Sequence, residues 1–222
     1  MSENVQHSSE QKRGIFITVA VMVLFMLAVL AGFLHKMGQP RVITDSELRA
    51  NGAIKLERPR IVDEFELLAD TGDVFKTTQM TGRWTLVFFG FTHCPDVCPT
   101  TLSTLNSFYQ TLDEETRKDT DILLVSVDPQ RDQPQQLHNY VRYFNPEFSA
   151  VTGEFLNLKR FANQLNVPFS KVPLEDGNYT VDHGSQVVLI NPRGHYHGFF
   201  KAPLDPAKMK LTYRSMRATF NG

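Results

Sequence analysis

Cys94 and Cys98 are the residues best equipped for chemistry in this chain. They lie in Phe91-Thr92-His93-Cys94-Pro95-Asp96-Val97-Cys98-Pro99 and are the only two cysteines. A thiolate is at once a nucleophile, a redox centre and a soft metal ligand. Two of them so close in sequence can form a disulfide or converge on one metal ion. An apolar run at 86–91 precedes them and a helical pattern, Leu102, Leu105, Tyr109 and Leu112, follows. The start of that helix favours thiolate over thiol. Pro99 suits its first turn, where a missing N–H costs nothing. The usual redox pair of a thioredoxin-like fold encloses two residues; this one encloses Pro95, Asp96 and Val97. The wider, stiffer claw suits a thiophilic metal such as copper, Cu(I) or Cu(II), and still permits a disulfide.

Such a claw needs a scaffold. Residues 86–91, and 122–125 with Val127, are continuously apolar. That pattern fits strands covered on both faces. With the helix between them they predict a strand–helix–strand unit with a right-handed parallel crossover. Leu137, Tyr140, Val141 and Phe144 predict a second helix, and Phe155, Leu158, Ala162 and Leu165 a third. Met209, Tyr213, Met216 and Phe220 predict a closing one. Apolar runs flanking the turn residues 191–194 predict a hairpin, as do those flanking 70–73. The element order and the cysteine placement together predict an α/β fold, a thioredoxin-like sandwich.

Two thiolates leave copper under-coordinated, and imidazole suits it as a third donor. The chain has seven histidines. His35 borders an apolar span, His138 is expected on the outer side of its helix, and His93 is expected to point away from Cys94. His195 and His197 read as exposed strand residues, although a His-x-His pair can bind metal. His183 lies just before the apolar strand at 187–190. In thioredoxin-like folds the segment entering that strand packs against the cysteines. Cys94, Cys98 and His183 are therefore the expected metal ligands, and Cys94 with Cys98 the expected catalytic redox pair. Asp182 could orient the ring, but extended backbone would turn it to the other side.

Composition narrows the class. The 23 Lys and Arg against 24 Asp and Glu leave a net charge of −1, which gives no support for nucleic acid as a partner. The apolar share, 41%, is enough for a core. Residues 15–34 carry no charge, and as a helix would span roughly 30 Å, the thickness of a bilayer core. The run exceeds the usual signal-peptide length and no small-x-small cleavage site follows. We expect a single transmembrane helix at 15–34 after a polar tail at 1–14. A tether at 35–60 with one short helix at 46–50 would lead to a copper-binding domain at 61–222. Basic residues flank the span on both sides, so charge does not orient it. The cysteine chemistry favours placing the domain outside. The few basic residues in 1–14 favour the bacterial inner (cytoplasmic) membrane, with the domain in the periplasm, over a mitochondrial presequence.

The stretch 89–99, Phe-Gly-Phe-Thr-His-Cys-Pro-Asp-Val-Cys-Pro, is close to the hallmark of the SCO/SenC family of copper-handling proteins. Ser126-Val127-Asp128-Pro129-Gln130-Arg131-Asp132 resembles the family's second signature and 179–183 its third. The resemblance implies copper bound by Cys94, Cys98 and His183 in a thioredoxin-like fold. It also implies cytochrome c oxidase subunit II as partner, whose dinuclear copper site such proteins help build by delivering copper or reducing its cysteines. Other copper chaperones or a thiol reductant are further expected partners. Asp128 and Asp132 match the second signature; turn formation and helix capping are the plainer expectation for them.

Three rival functions remain open from the residues. A thiol-disulfide oxidoreductase needs Cys94 and Cys98 but not His183. A thiol peroxidase would have no need of a second cysteine so near the first. A redox or copper sensor would use the same three residues.

Overall fold

The computed structural model describes residues 3–38, 41–175 and 177–220. The chain divides into two compact units, Met1–Arg41 and Val42–Gly222. The first is one helix, α1 (Glu3–Gly38). Its stretch Lys12–Met37 is long and apolar enough to cross a membrane. Phe16, Leu24 and Phe25 are each more than two-thirds exposed on it, so apolar side chains cover its surface without a partner in this unit. The polar tail expected at 1–14 is helical over its described residues; Met1 and Ser2 lie outside them.

The second unit begins with α2 (Asp45–Ala50), started by a capping box between Thr44 and Glu47. The strands β1 (Ala53–Ile61), β2 (Glu66–Ala69), β3 (Val74–Lys76) and β4 (Trp84–Gly90) follow. Then come α3 (Val97–Gln110), α4 (Glu114–Lys118), β5 (Thr120–Ser126), α5 (Pro134–Phe144), β6 (Ser149–Thr152) and α6 (Phe155–Gln164). The chain closes with β7 (Phe169–Pro173), β8 (Tyr179–His183), β9 (Val187–Ile190), β10 (His195–Phe200) and α7 (Pro206–Ala218). Eight strands form one sheet in the order β1-β10-β9-β4-β5-β6-β2-β3, while β7 and β8 pair separately. β4, β5 and β6 run parallel; the other pairings are antiparallel.

Every residue of β4 is buried, as expected of a strand covered on both faces. Alternation along it divides the core. Trp84 meets Tyr213 of α7 edge-on, and Gly90, on the same face, meets Cys98 of α3. Phe89, on the other face, packs against Phe161 of α6. The expected hairpin at 70–73 is β2–β3, and that at 191–194 is β9–β10.

Residues 42–60 correct the expected tether. They form α2 and most of β1, and β1 pairs with β10 as an edge of the large sheet. β1 is mostly exposed and breaks register between Lys55 and Arg60, a bulge that accommodates Pro59. That pattern carries no apolar periodicity for a sequence to display. Residues 39 and 40 of the expected tether lie outside the described residues.

Candidate metal centre

β4 delivers the chain to the cysteines and α3 takes it away. Cys94 sits half-buried in the connecting loop; Cys98, in the first turn of α3, is fully buried. Both are free thiols. The backbone N–H of Cys98 donates to Cys94 Sγ at 3.4 Å. Gly90 is what lets α3 come so close. A Cβ there would stand 2.9 Å from Cys98 Sγ and 3.0 Å from the Phe88 ring.

His183 arrives from a different part of the chain. It does not lie in a loop entering the 187–190 strand, as expected, but ends a strand of its own, β8. Its Nε2 is 3.7 Å from Cys98 Sγ. Its Nδ1 is 3.0 Å from the Gly184 carbonyl, which only accepts, so Nδ1 carries the proton and the Nε2 lone pair faces the sulfurs. Phe88 and Phe91 hold the imidazole edge-to-face, each 6.0 Å away between centroids. The ligand atoms of Cys94, Cys98 and His183 all lie within 4.8 Å of one another. Among the described residues this is the one His, Cys, Asp and Glu cluster with that convergence.

The two thiols are not equivalent. Cys94 is held down to about 5, first by the S–H of Cys98, against the cost of burial. The backbone N–H groups of Cys98 and Asp96 add to the effect. Cys98 is pushed up by Cys94 and by its own burial. The resting pair is therefore a thiolate at Cys94, open to solvent, with a buried thiol at Cys98 donating to it.

A second layer holds the ligands, and it comes from the loop after β5. Asp132 is fully buried and does not cap α5, whose N-cap is Gln133. Its carboxylate instead accepts from the Thr92 N–H at 3.0 Å, the Thr92 hydroxyl at 2.6 Å and the Ser126 hydroxyl at 2.7 Å. This pins the cysteine loop. Asp128, also fully buried, accepts from the Tyr179 hydroxyl at 2.8 Å and from Arg131 Nε. The expectation of turn formation and capping thus understates both carboxylates. The sequence hint was a polar run holding two acids directly after an apolar strand.

The other histidines lie apart. His93 is exposed and contacts the Thr92 hydroxyl. His138 meets Asp70 at 3.0 Å rather than facing solvent alone. His197 is buried against Trp84 and Phe220, which corrects its expected exposure. Asp182 is exposed on the far side of β8 from His183, as alternation requires.

Two sulfurs and one imidazole, two of the three reachable from solvent, make a donor set for a soft metal ion of low coordination number. The pattern of the SCO1/SenC family matches residues 54–217. The chain belongs to the SCO1/SenC family. A Stutzerimonas stutzeri protein named for copper binding is 39% identical over 149 residues, which cover 67% of this chain and 73% of that one. The fold also matches solved SCO structures. Copper-bound ScoI of Arabidopsis thaliana aligns with a TM-score of 0.68 and 32% identity over 72% of this chain and 99% of that one. Copper-bound yeast Sco1 aligns with a TM-score of 0.67 and 27% identity over 73% and 91%. The thioredoxin-like α/β assignment therefore holds for the large unit.

Proposed function

We propose that this SCO-family chain is a membrane-anchored copper chaperone that carries one copper ion on Cys94, Cys98 and His183. Its client would be the dinuclear copper site of cytochrome c oxidase subunit II. The observation that carries the proposal is the convergence of the three ligand atoms within 4.8 Å of one another. A disulfide-only enzyme has no need of an imidazole lone pair at that point. The helix at Lys12–Met37 would hold the protein at the bacterial inner membrane, with the domain in the periplasm.

Cargo transfer would proceed by ligand exchange. Cys98 is fully buried, so partner thiolates reach the ion from the side of Cys94 and His183, and Cys98 lets go last. Loading also costs one proton, because Cys98 must lose its S–H while Cys94 is already a thiolate. Oxidation of the pair to a disulfide consumes both sulfur ligands and empties the site.

A second function is favoured by the unequal thiols. A half-buried, low-pKa Cys94 backed by a fully buried Cys98 is the arrangement of an attacking and a resolving cysteine. Cys94 would attack a partner disulfide, and Cys98 would then displace the partner thiol, leaving the partner reduced and this pair oxidised.

Competition titration with Cu(I) on the detergent-solubilised chain separates the two. The chaperone proposal predicts one copper per chain, with affinity reduced at least about tenfold in His183→Ala. The reductase alternative predicts unaltered disulfide reduction by that variant. Equal copper retention by wild type and His183→Ala would falsify the ligand role of His183.

A further inference from the structure

His183 is carried by a strand outside the eight-stranded sheet: β8 pairs with β7, and that hairpin forms its own two-stranded sheet. Along β8, Tyr179 and His183 share one face with the buried Val181 between them. They stand about 13 Å apart along the strand. The His183 end is held by its pairing with Phe169 and by Gln186, which donates to the Asn166 carbonyl at 2.6 Å.

The Tyr179 end is gripped by the loop that also holds the cysteines. Its hydroxyl donates to buried Asp128 at 2.8 Å. The Arg131 guanidinium lies 4.0 Å from the Tyr179 ring centre, and Arg131 Nη1 donates to the Tyr179 carbonyl at 3.2 Å. Arg131 Nε donates to the other oxygen of Asp128, and the same guanidinium sits 5.8 Å from the ring centre of Phe91, which touches His183. From β7, the Lys171 ammonium lies 4.2 Å from the Tyr179 ring centre and donates to Gln130 at 2.6 Å. One short loop, 126–132, therefore binds Thr92 of the cysteine segment through Asp132 and the histidine strand through Asp128 and Arg131.

We propose that Tyr179, clamped between Asp128 and Arg131, is a positioning residue that sets where β8 lies over this loop and so how far His183 Nε2 stands from the thiol pair. The proposal deepens the metal-site assignment above and rests on it. Without the clamp the outer end of β8 is free to lift. The imidazole then shares its time between the sulfurs and solvent, while Cys94 and Cys98 stay where α3 and Asp132 hold them. A partly buried ring stacked by a cation, with its hydroxyl on a buried carboxylate, fixes a strand end more tightly than an exposed hairpin could fix itself.

The test uses the full chain in detergent, loaded with Cu(II). Wild type, His183→Ala, Tyr179→Phe, Tyr179→Leu and Val172→Ala are compared. The last changes an exposed residue of the same hairpin. Two readouts are taken: Cu(II) affinity by competition, and the imidazole-nitrogen splitting in the electron paramagnetic resonance spectrum. Tyr179→Phe keeps the ring on Arg131 and loses only the hydroxyl, so its affinity should fall about tenfold, with a weakened nitrogen signal. Tyr179→Leu should lose more of both, and Val172→Ala should match wild type. Wild-type affinity and nitrogen splitting in Tyr179→Phe overturn the clamp, and that variant decides the matter if Tyr179→Leu does not fold. A nitrogen splitting that survives in His183→Ala, or wild type that binds no copper, overturns the ligand assignment instead.

Discussion

Cys98 Sγ lies 3.7 Å from His183 Nε2 although 85 residues separate them in the chain. One comes from the first turn of a helix on the main sheet, the other from the end of a detached hairpin. The proposed metal site is thus assembled from two pieces distant in the chain, and the loop at 126–132 that joins them decides whether it exists.

The unequal thiols fix how the pair responds to pH. Cys94 is depressed to about 5, so its thiolate forms as pH rises through that value, well below an ordinary cysteine. Alkylation of the metal-free chain by iodoacetamide should modify Cys94 alone, with a rate that rises through about pH 5 and then levels. In Cys98→Ala the main donor is gone and the rise should move to higher pH. A wild-type rate that climbs only above pH 8 contradicts the assignment.

The raised thiol of Cys98 gives the metal affinity its own pH dependence. Between the two pKa values binding displaces one proton, from Cys98. The logarithm of the Cu(I) affinity should therefore rise by about one per pH unit between pH 7.5 and 9. A pH-independent affinity would mean that Cys98 does not ligate.

Asp132 should matter to the fold as well as to the site. Asp132→Ala leaves the Thr92 N–H, the Thr92 hydroxyl and the Ser126 hydroxyl without their shared buried acceptor. The expected loss is about 2–5 kcal/mol in chemical denaturation, since orphaned buried donors cost about 1–3 kcal/mol each and water recovers part. A loss under about 0.5 kcal/mol, the scale of an ordinary surface change, contradicts the role given to it.

Gly90 is a test of close approach. In Gly90→Ala the new methyl meets Cys98 Sγ at 2.9 Å and the Phe88 ring at 3.0 Å, both fully buried. Overpacking of this kind costs about 1–3 kcal/mol. The sulfur must also shift, so copper affinity should fall in the variant even at temperatures where it stays folded. Unchanged stability and affinity would show that α3 can retreat freely.

His197 gives the large unit an acid-sensitive spot away from the cysteines. Burial, with Lys55 nearby, pulls its pKa from 6.5 down to about 4. The unfolded chain takes up this proton near pH 6.5 and the folded one only near 4, so stability is lost as pH falls across that window. His197→Phe removes the titrating group. Urea denaturation should show the variant gaining on wild type between pH 6.5 and 4; parallel curves contradict it.

The legible parts of this protein were those with one-dimensional signatures. β4 and β5 carry the apolar runs 86–89 and 122–125, α3 and α5 repeat at helical spacing, and the cysteine motif is local. β1 was hidden because an exposed, bulged edge strand holding Lys55, Glu57, Arg58, Pro59 and Arg60 looks like a linker. β7 and β8 were hidden for a related reason: Phe169 and Val181 are their only buried residues. The position of His183 before an apolar strand shows in the sequence, but its own strand and the phenyl rings that orient it leave no such signal. Asp132 could not be assigned because the residue it holds, Thr92, lies 40 positions away.

X-ray absorption at the copper edge of the Cu(I)-loaded chain tests the central claim most directly. Two sulfur neighbours and one imidazole nitrogen in wild type, with the nitrogen lost in His183→Ala and one sulfur lost in Cys98→Ser, are predicted. A spectrum with sulfur neighbours alone, or one that His183→Ala leaves unchanged, contradicts it.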